Sequence, residues 1–168
     1  MYSLNDKKRI IDEWFNYLQI QISSEFQKIE NNFSKKPAKF KTTEWKKENI
    51  NQGGGISMLL SDGVVFEKVG VNKSCVNGKF GKNFQDKILG AKESNGKYWA
   101  SGVSVVAHMR NPKIPAIHFN TRFIVTSKEW FGGGIDVTPS FEDNIEKKMV
   151  HNDLKKICAQ NNKNYKKY

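Results

Sequence analysis

The 168-residue chain has little of several things, and each shortage excludes a class of protein. Its two cysteines, Cys75 and Cys158, are too few and too far apart for a disulfide scaffold or a zinc knuckle, and they fit a reducing, cytoplasmic setting. Long apolar runs are missing. The best, Ile56 to Leu60 interrupted by Ser57, falls well short of the ~20 residues that cross a bilayer. The start, Met1-Tyr-Ser-Leu-Asn-Asp-Lys, has no apolar leader core, so a soluble, untargeted chain without a membrane role is expected. Arginine is scarcest of all: Arg9, Arg110 and Arg122 are the only three among 28 basic residues.

What is present suffices for one core. Hydrophobic residues make up 38% of the chain and aromatics 12%, so a single domain over 1–168 is expected and wholesale disorder is not. The net charge of +11 is spread along the chain without a basic arm or stripe, as an A/T-rich, lysine-favouring coding sequence would give. A solvated surface accounts for it, and no nucleic-acid partner is expected.

The pattern along the chain is mixed. Ile10, Ile11, Trp14, Phe15, Leu18, Ile22, Phe26 and Ile29 recur at helical spacing, and Ser3 stands three residues before Asp6 as in a capping box. Residues 31–51 read as a surface connection. Ile56 to Leu60 and Val64 to Val69 flank Asp62-Gly63, a hairpin signal. Lys73 to Lys97 is polar and reads mostly as loop, with a short element near Phe84 to Leu89. Tyr98 to Met109 and Ala116 to Val125 are neighbouring antiparallel strands, followed by an extended piece, Trp130 to Val137, interrupted by three glycines. A helix from about Phe141 to Gln160 closes the chain, with Ser140 and Asp143 at capping-box spacing.

Side chains alternate along a strand, so Ser104, Val106, His108 and Arg110 share one face, as do His118, Asn120 and Arg122. By pattern alone such rows read first as the wet face of a half-buried sheet, with a ligand site as the alternative. Their identities lean to the second: in a lysine-rich chain they hold no lysine, two of three arginines and two of three histidines. A guanidinium fork suits carboxylate or phosphate oxygens, and a neutral histidine among cations can shuttle a proton. Asp136, beside Gly132-Gly133-Gly134, is either a turn residue or a site carboxylate. Neither glycine triplet has dinucleotide-binding spacing, and His108, His118 and His151 lack local metal-ligand spacing. His151 also sits where an ordinary packed histidine would, at the edge of a face formed by Val150, Leu154 and Ile157.

Taken in order, Gly53-Gly-Gly-Ile-Ser57, Phe66 to Asn72, Gly102-Val-Ser104, His108, Asn111-Pro112, Pro115, His118 to Arg122 and Trp130 to Pro139 closely resemble oxygen-dependent coproporphyrinogen III oxidases. The resemblance implies an α+β fold, a large antiparallel sheet with helices on both sides. It implies an oxidoreductase of haem biosynthesis that converts two propionates of coproporphyrinogen III to vinyls, with molecular oxygen as co-substrate and no organic cofactor. It also assigns roles. His118 matches a proton donor, Asp136 a carboxylate that holds pyrrole nitrogens, with Arg122 beside it; Ser104, Asn120, Thr121 and Arg122 match substrate contacts. His108, His118 and His151 match histidines implicated in binding a divalent metal such as manganese.

Local departures are Met109 where the family has proline and Ser140-Phe141 in place of an aromatic pair. The family continues past Tyr168 through a further histidine, an Arg-Gly substrate segment and the helix that forms its homodimer. An N-terminal portion is therefore expected here, one that turns over alone, awaits a second polypeptide, or binds porphyrinogen without turnover.

Overall fold

The computed structural model describes residues 2–167. Helix α1 spans Leu4–Phe33, and its Ser3 cap accepts the Asp6 N–H, as the spacing predicts. Six strands follow in an uninterrupted antiparallel meander: β1 Lys41–Lys46, β2 Gly53–Ser61, β3 Phe66–Lys79, β4 Lys97–Met109, β5 Ala116–Val125 and β6 Glu129–Thr138. A one-turn helix, α2 Lys82–Gln85, lies between β3 and β4, and α3 Asn144–Gln160 follows the sheet. This is the expected α+β class. None of these helices is long and apolar enough to cross a membrane.

Four local expectations are corrected. Residues 41–46 form an edge strand, although all six side chains are exposed and give no alternation to read. Lys73 to Lys79 is strand, because β3 pairs along its length with both β2 and β4, and ladder bonds on two sides override a polar composition. The glycine triplet does not interrupt β6, which pairs with β5 from Glu129 to Thr138. The α3 cap is Asp143, whose carboxylate accepts the Ile145 and Glu146 N–H groups, with Ser140 outside the helix.

Alternation divides the sheet into two unlike faces. Leu60, Val69, Val71, Val103, Val105, Ala107, Phe123 and Val125 point to one side and are buried with Phe15 of α1. A register shift between Phe66 and Lys68 turns Phe66 to the same side, where it meets Phe26 edge-on. The stripe α1 buries is not the whole apolar face read from spacing. Phe15, Gln19, Ser23 and Glu30 are buried, whereas Ile10, Trp14 and Ile29 are exposed.

The buried polar groups on this side each have partners. Gln19 Nε2 donates to the Ile56 and Val71 carbonyls, at 2.8 Å each. Asp12 accepts from Ser101 Oγ at 2.6 Å and pairs with Lys73 Nζ at 2.7 Å. Glu30, fully buried, accepts the Val64, Val65 and Phe66 N–H groups and so holds the β2–β3 turn. Gly63 stands where it does because a Cβ there would lie 2.4 Å from Glu30 Oε2.

The opposite face departs from the expectation of helices on both sides. Among the described residues only α1 packs broadly on the sheet, and Ser104, Val106, His108, His118, Arg122 and Asp136 on the other face are exposed. Helix α3 lies beside the β6 edge, where Pro115, Ile135, Val137, Val150, His151 and Leu154 enclose a cleft.

Candidate active site

Register turns the alternating rows into a two-dimensional array on the open face. Asp136 of β6 lies opposite His118 of β5, which lies opposite Val106 of β4. The next row runs Asn120, Ser104, Asn72 and Ser57 across four strands. Arg122 lies opposite Gly102, where a Cβ would come within 2.8 Å of the Arg122 Cβ and 2.4 Å of the Thr121 carbonyl oxygen. Small residues thus form the floor, and the reactive side chains gather toward β5 and β6.

The chemistry of that end is a line of proton-carrying groups. Thr138 Oγ1 donates to Asp136 Oδ2 at 2.5 Å, and the same oxygen is 3.7 Å from His118 Nδ1. His118 Nε2 is 3.3 Å from His108 Nε2, so one ring donates and the other accepts. The 3.7 Å separation exceeds a direct hydrogen bond and suits an ion pair or one bridging water. Arg122 Nη2 donates to Asn120 Oδ1, which holds its guanidinium on this face. His118 and Asp136 side chains keep 47% and 62% of their exposure, so a flat ligand can reach them.

Not every residue singled out from the sequence arrives here. Ser104, Asn120, Arg122, His108, His118 and Asp136 share the open face. Thr121 does not: it sits opposite Val103 and Gly133 with its side chain on the α1 side, because it is one residue out of phase with Asn120. Arg110 lies beyond the end of β4 and donates from Nε to the Gly63 carbonyl at 2.6 Å, so it braces the β2–β3 turn. Thr138 and the pair Ser57 and Asn72 were not singled out as site residues. Thr138 had a signal, two residues past Asp136 on one strand; Ser57 and Asn72 had none before the register was known.

Two of the three histidines stand at a spacing that suits a metal ion. Two nitrogens bound to one tetrahedral cation lie roughly 3.4 Å apart, and the 3.3 Å between the His108 and His118 Nε2 atoms matches that. The third residue does not join them, because His151 Nδ1 is paired with the Tyr165 hydroxyl beside α3. Among the described residues no group of three or more His, Cys, Asp or Glu converges on one point. The residues present supply half a metal site, and no step below uses one.

Cys75 belongs to the other face, beside Asp12 and Lys73. Burial, and after it the Asp12 carboxylate, push its thiol up to about 11. Such a thiol is inert near neutral pH.

The family model described as coproporphyrinogen III oxidase matches residues 10–168. The oxygen-dependent coproporphyrinogen-III oxidases of Rickettsia typhi and Rickettsia prowazekii are each 47% identical over 164 residues, and that of Rickettsia akari 46%. These alignments cover 95% of this chain and 57% of each relative, so the chain spans little more than half their length. With the match running through every strand of the sheet and all of its polar face, the chain belongs to the coproporphyrinogen III oxidase family.

Proposed function

We propose that this chain forms the substrate-holding sheet of an oxygen-dependent coproporphyrinogen oxidase, acting on two propionates of coproporphyrinogen III. The observation that carries the reading is the open face itself, with Arg122 for carboxylate and the linked groups Thr138, Asp136, His118 and His108 for protons. In the proposed reaction one propionate carboxylate, one oxygen molecule and one proton give one vinyl group, carbon dioxide and hydrogen peroxide. The carbon–carboxylate bond breaks, a hydride equivalent leaves the neighbouring carbon, and oxygen takes the two electrons. Because the tetrapyrrole supplies those electrons, no organic cofactor enters.

The chain's own groups then divide the work. Arg122 grips a propionate through its fork, its orientation set by Asn120. Ser104, opposite Asn120, adds a hydroxyl on the same face. Asp136 has Oδ2 engaged by Thr138, which leaves Oδ1 to accept a pyrrole N–H. His118 supplies the proton that the reduction of oxygen consumes and is recharged through His108. A homodimer in the cytoplasm is the proposed setting, supported by apolar Ile145, Met149 and Ile157 exposed on α3 and by two free thiols.

The exposure of His118 and Asp136 favours a second reading, in which the chain holds porphyrinogen without turning it over, since water competes at an uncovered site. One experiment separates the two. Coproporphyrinogen III is added to the purified chain without oxygen, oxygen is admitted, and vinyl products are followed. Turnover that drops roughly 100-fold or more in Asp136→Asn and His118→Ala, with affinity kept, supports the oxidase reading. Binding without products supports the second, and absence of binding refutes both.

A further inference from the structure

We infer that Asn72, oriented by Ser57, is a further ligand-contacting residue that receives a carboxylate on the β3 side of the open face. The inference rests on the reading of that face as a tetrapyrrole site. Ser57 and Asn72 are paired across β2 and β3, and Ser57 Oγ donates to Asn72 Oδ1 at 2.6 Å. With its oxygen engaged by the hydroxyl, the amide presents its nitrogen in the other direction. That nitrogen lies over Gly70, 3.6 Å from where a Cβ would be, and makes no hydrogen bond among the described residues.

Gly70 gives the amide its access. Residues 70 and 72 point to the same side of β3, so a side chain at 70 would cover the two N–H groups. Gly70 is opposite Val106, and Val106 is opposite His118, so the Asn72 donors face the row that ends at His118 and Asp136. Two strand spacings put Asn72 about 10 Å from the Arg122 strand. One flat ligand with carboxylates at opposite corners can therefore meet Arg122 at one side and Asn72 at the other. The two grips differ in kind. Arg122 binds by charge, whereas Asn72 offers two directed donors and leaves the carboxylate its charge.

The test is titration of coproporphyrin III, the stable oxidised tetracarboxylate, into the 168-residue chain and its Asn72→Ala, Asn72→Asp, Ser57→Ala and Arg122→Ala variants, with tryptophan quenching as the readout. The tetramethyl ester of the same porphyrin serves as the second probe. Asn72→Asp removes the donors and adds a like charge, and it is expected to weaken the acid about tenfold or more. Asn72→Ala weakens it less, and Ser57→Ala, which frees the amide to turn, weakens it least. All three are expected to weaken the ester clearly less than the acid, because an ester carbonyl accepts an N–H more weakly than a carboxylate does, a selectivity that general loosening of the sheet would not give; Asn72→Ala carries the test if Asn72→Asp does not fold. Equal affinity of wild type and both Asn72 variants for the acid, with Arg122→Ala weakened, would overturn the role of Asn72 and leave the site standing. Equal weakening toward acid and ester would also overturn it. If the wild type binds neither probe, the reading of the face fails and this inference fails with it.

Discussion

Glu30→Ala is expected to remove a large share of the stability of this fold, and the amount can be worked from what the carboxylate touches. Glu30 accepts the N–H groups of Val64, Val65 and Phe66. Val64 is 58% exposed, so water can take over its N–H, whereas Phe66 is 3% exposed and its N–H would be left without a partner. A hydrogen bond to a charged group contributes ~1.5–3 kcal/mol, and Val65 falls between the two cases, so the loss comes to about 3 kcal/mol. Against a domain stability of ~5–15 kcal/mol this is substantial. Urea unfolding followed by tryptophan fluorescence reads it as a midpoint lower by about 1.5 M, for a slope near 2 kcal/mol/M. Gly63 sharpens the test, since its Cβ would sit 2.4 Å from Glu30 Oε2. Gly63→Ala is expected to be costly in the wild type and nearly neutral once Glu30 is alanine, a coupling of roughly 1 kcal/mol or more. An unchanged midpoint in Glu30→Ala, or strict additivity of the two substitutions, would refute the claim that this carboxylate organises the turn.

The pair Asp12 and Lys73 is expected to be asymmetric. Lys73 keeps 8% of its side-chain exposure and Asp12 28%, so Asp12→Ala strands a buried ammonium and costs about 2–3 kcal/mol, while Lys73→Met leaves a carboxylate that water can reach and costs less. Equal losses in urea unfolding would contradict this. Cys75, with its thiol pushed up to about 11, holds roughly one thiolate in a thousand at pH 8 and is expected to react with a thiol reagent far more slowly than an ordinary cysteine. Its rate should rise about tenfold per pH unit up to pH 10, because deprotonation is still incomplete there; a rate flat over that range would show a thiol already ionised.

Much of the fold could be read ahead because local signals and tertiary demands agree. The spacing of Ile11, Phe15, Leu18, Ile22 and Phe26 matches the packed side of α1, and Ala116 to Val125 is β5 residue for residue. The misses share one cause, which is that pairing partners supply what composition lacks. Edge strand β1 has no buried side chain to reveal it. Lys73 is a charged residue in a central strand, tolerated because Asp12 of α1 meets it, 61 positions earlier in the chain. Gln19 and Glu30 look like solvent-facing residues and are among the most buried, since each binds backbone groups of the sheet that only the assembled structure brings near.

The site divides along the same line. Alternation alone put Ser104 and His108 on one face and His118, Asn120 and Arg122 on another, but only register could lay Asn72 and Ser57 beside Ser104 or set Asp136 opposite His118. The two arginines make the limit plain. Arg110 and Arg122 share a residue type, a scarcity and a strand parity with the candidate rows, so a reading from residue type and position alone treats them alike. Yet Arg122 lies within β5 between Gly102 and Gly132, with one donor on Asn120 Oδ1 and the rest of its fork unpaired among the described residues, and Arg110 falls one residue past β4, where the chain turns it onto the Gly63 carbonyl. In both places a guanidinium serves where an ammonium would not, because its donors are directed. Residue type alone therefore does not separate the two, and the sheet register does: it sets Arg110 on a turn and leaves Arg122 on the open face, where the proposed ligand would meet it.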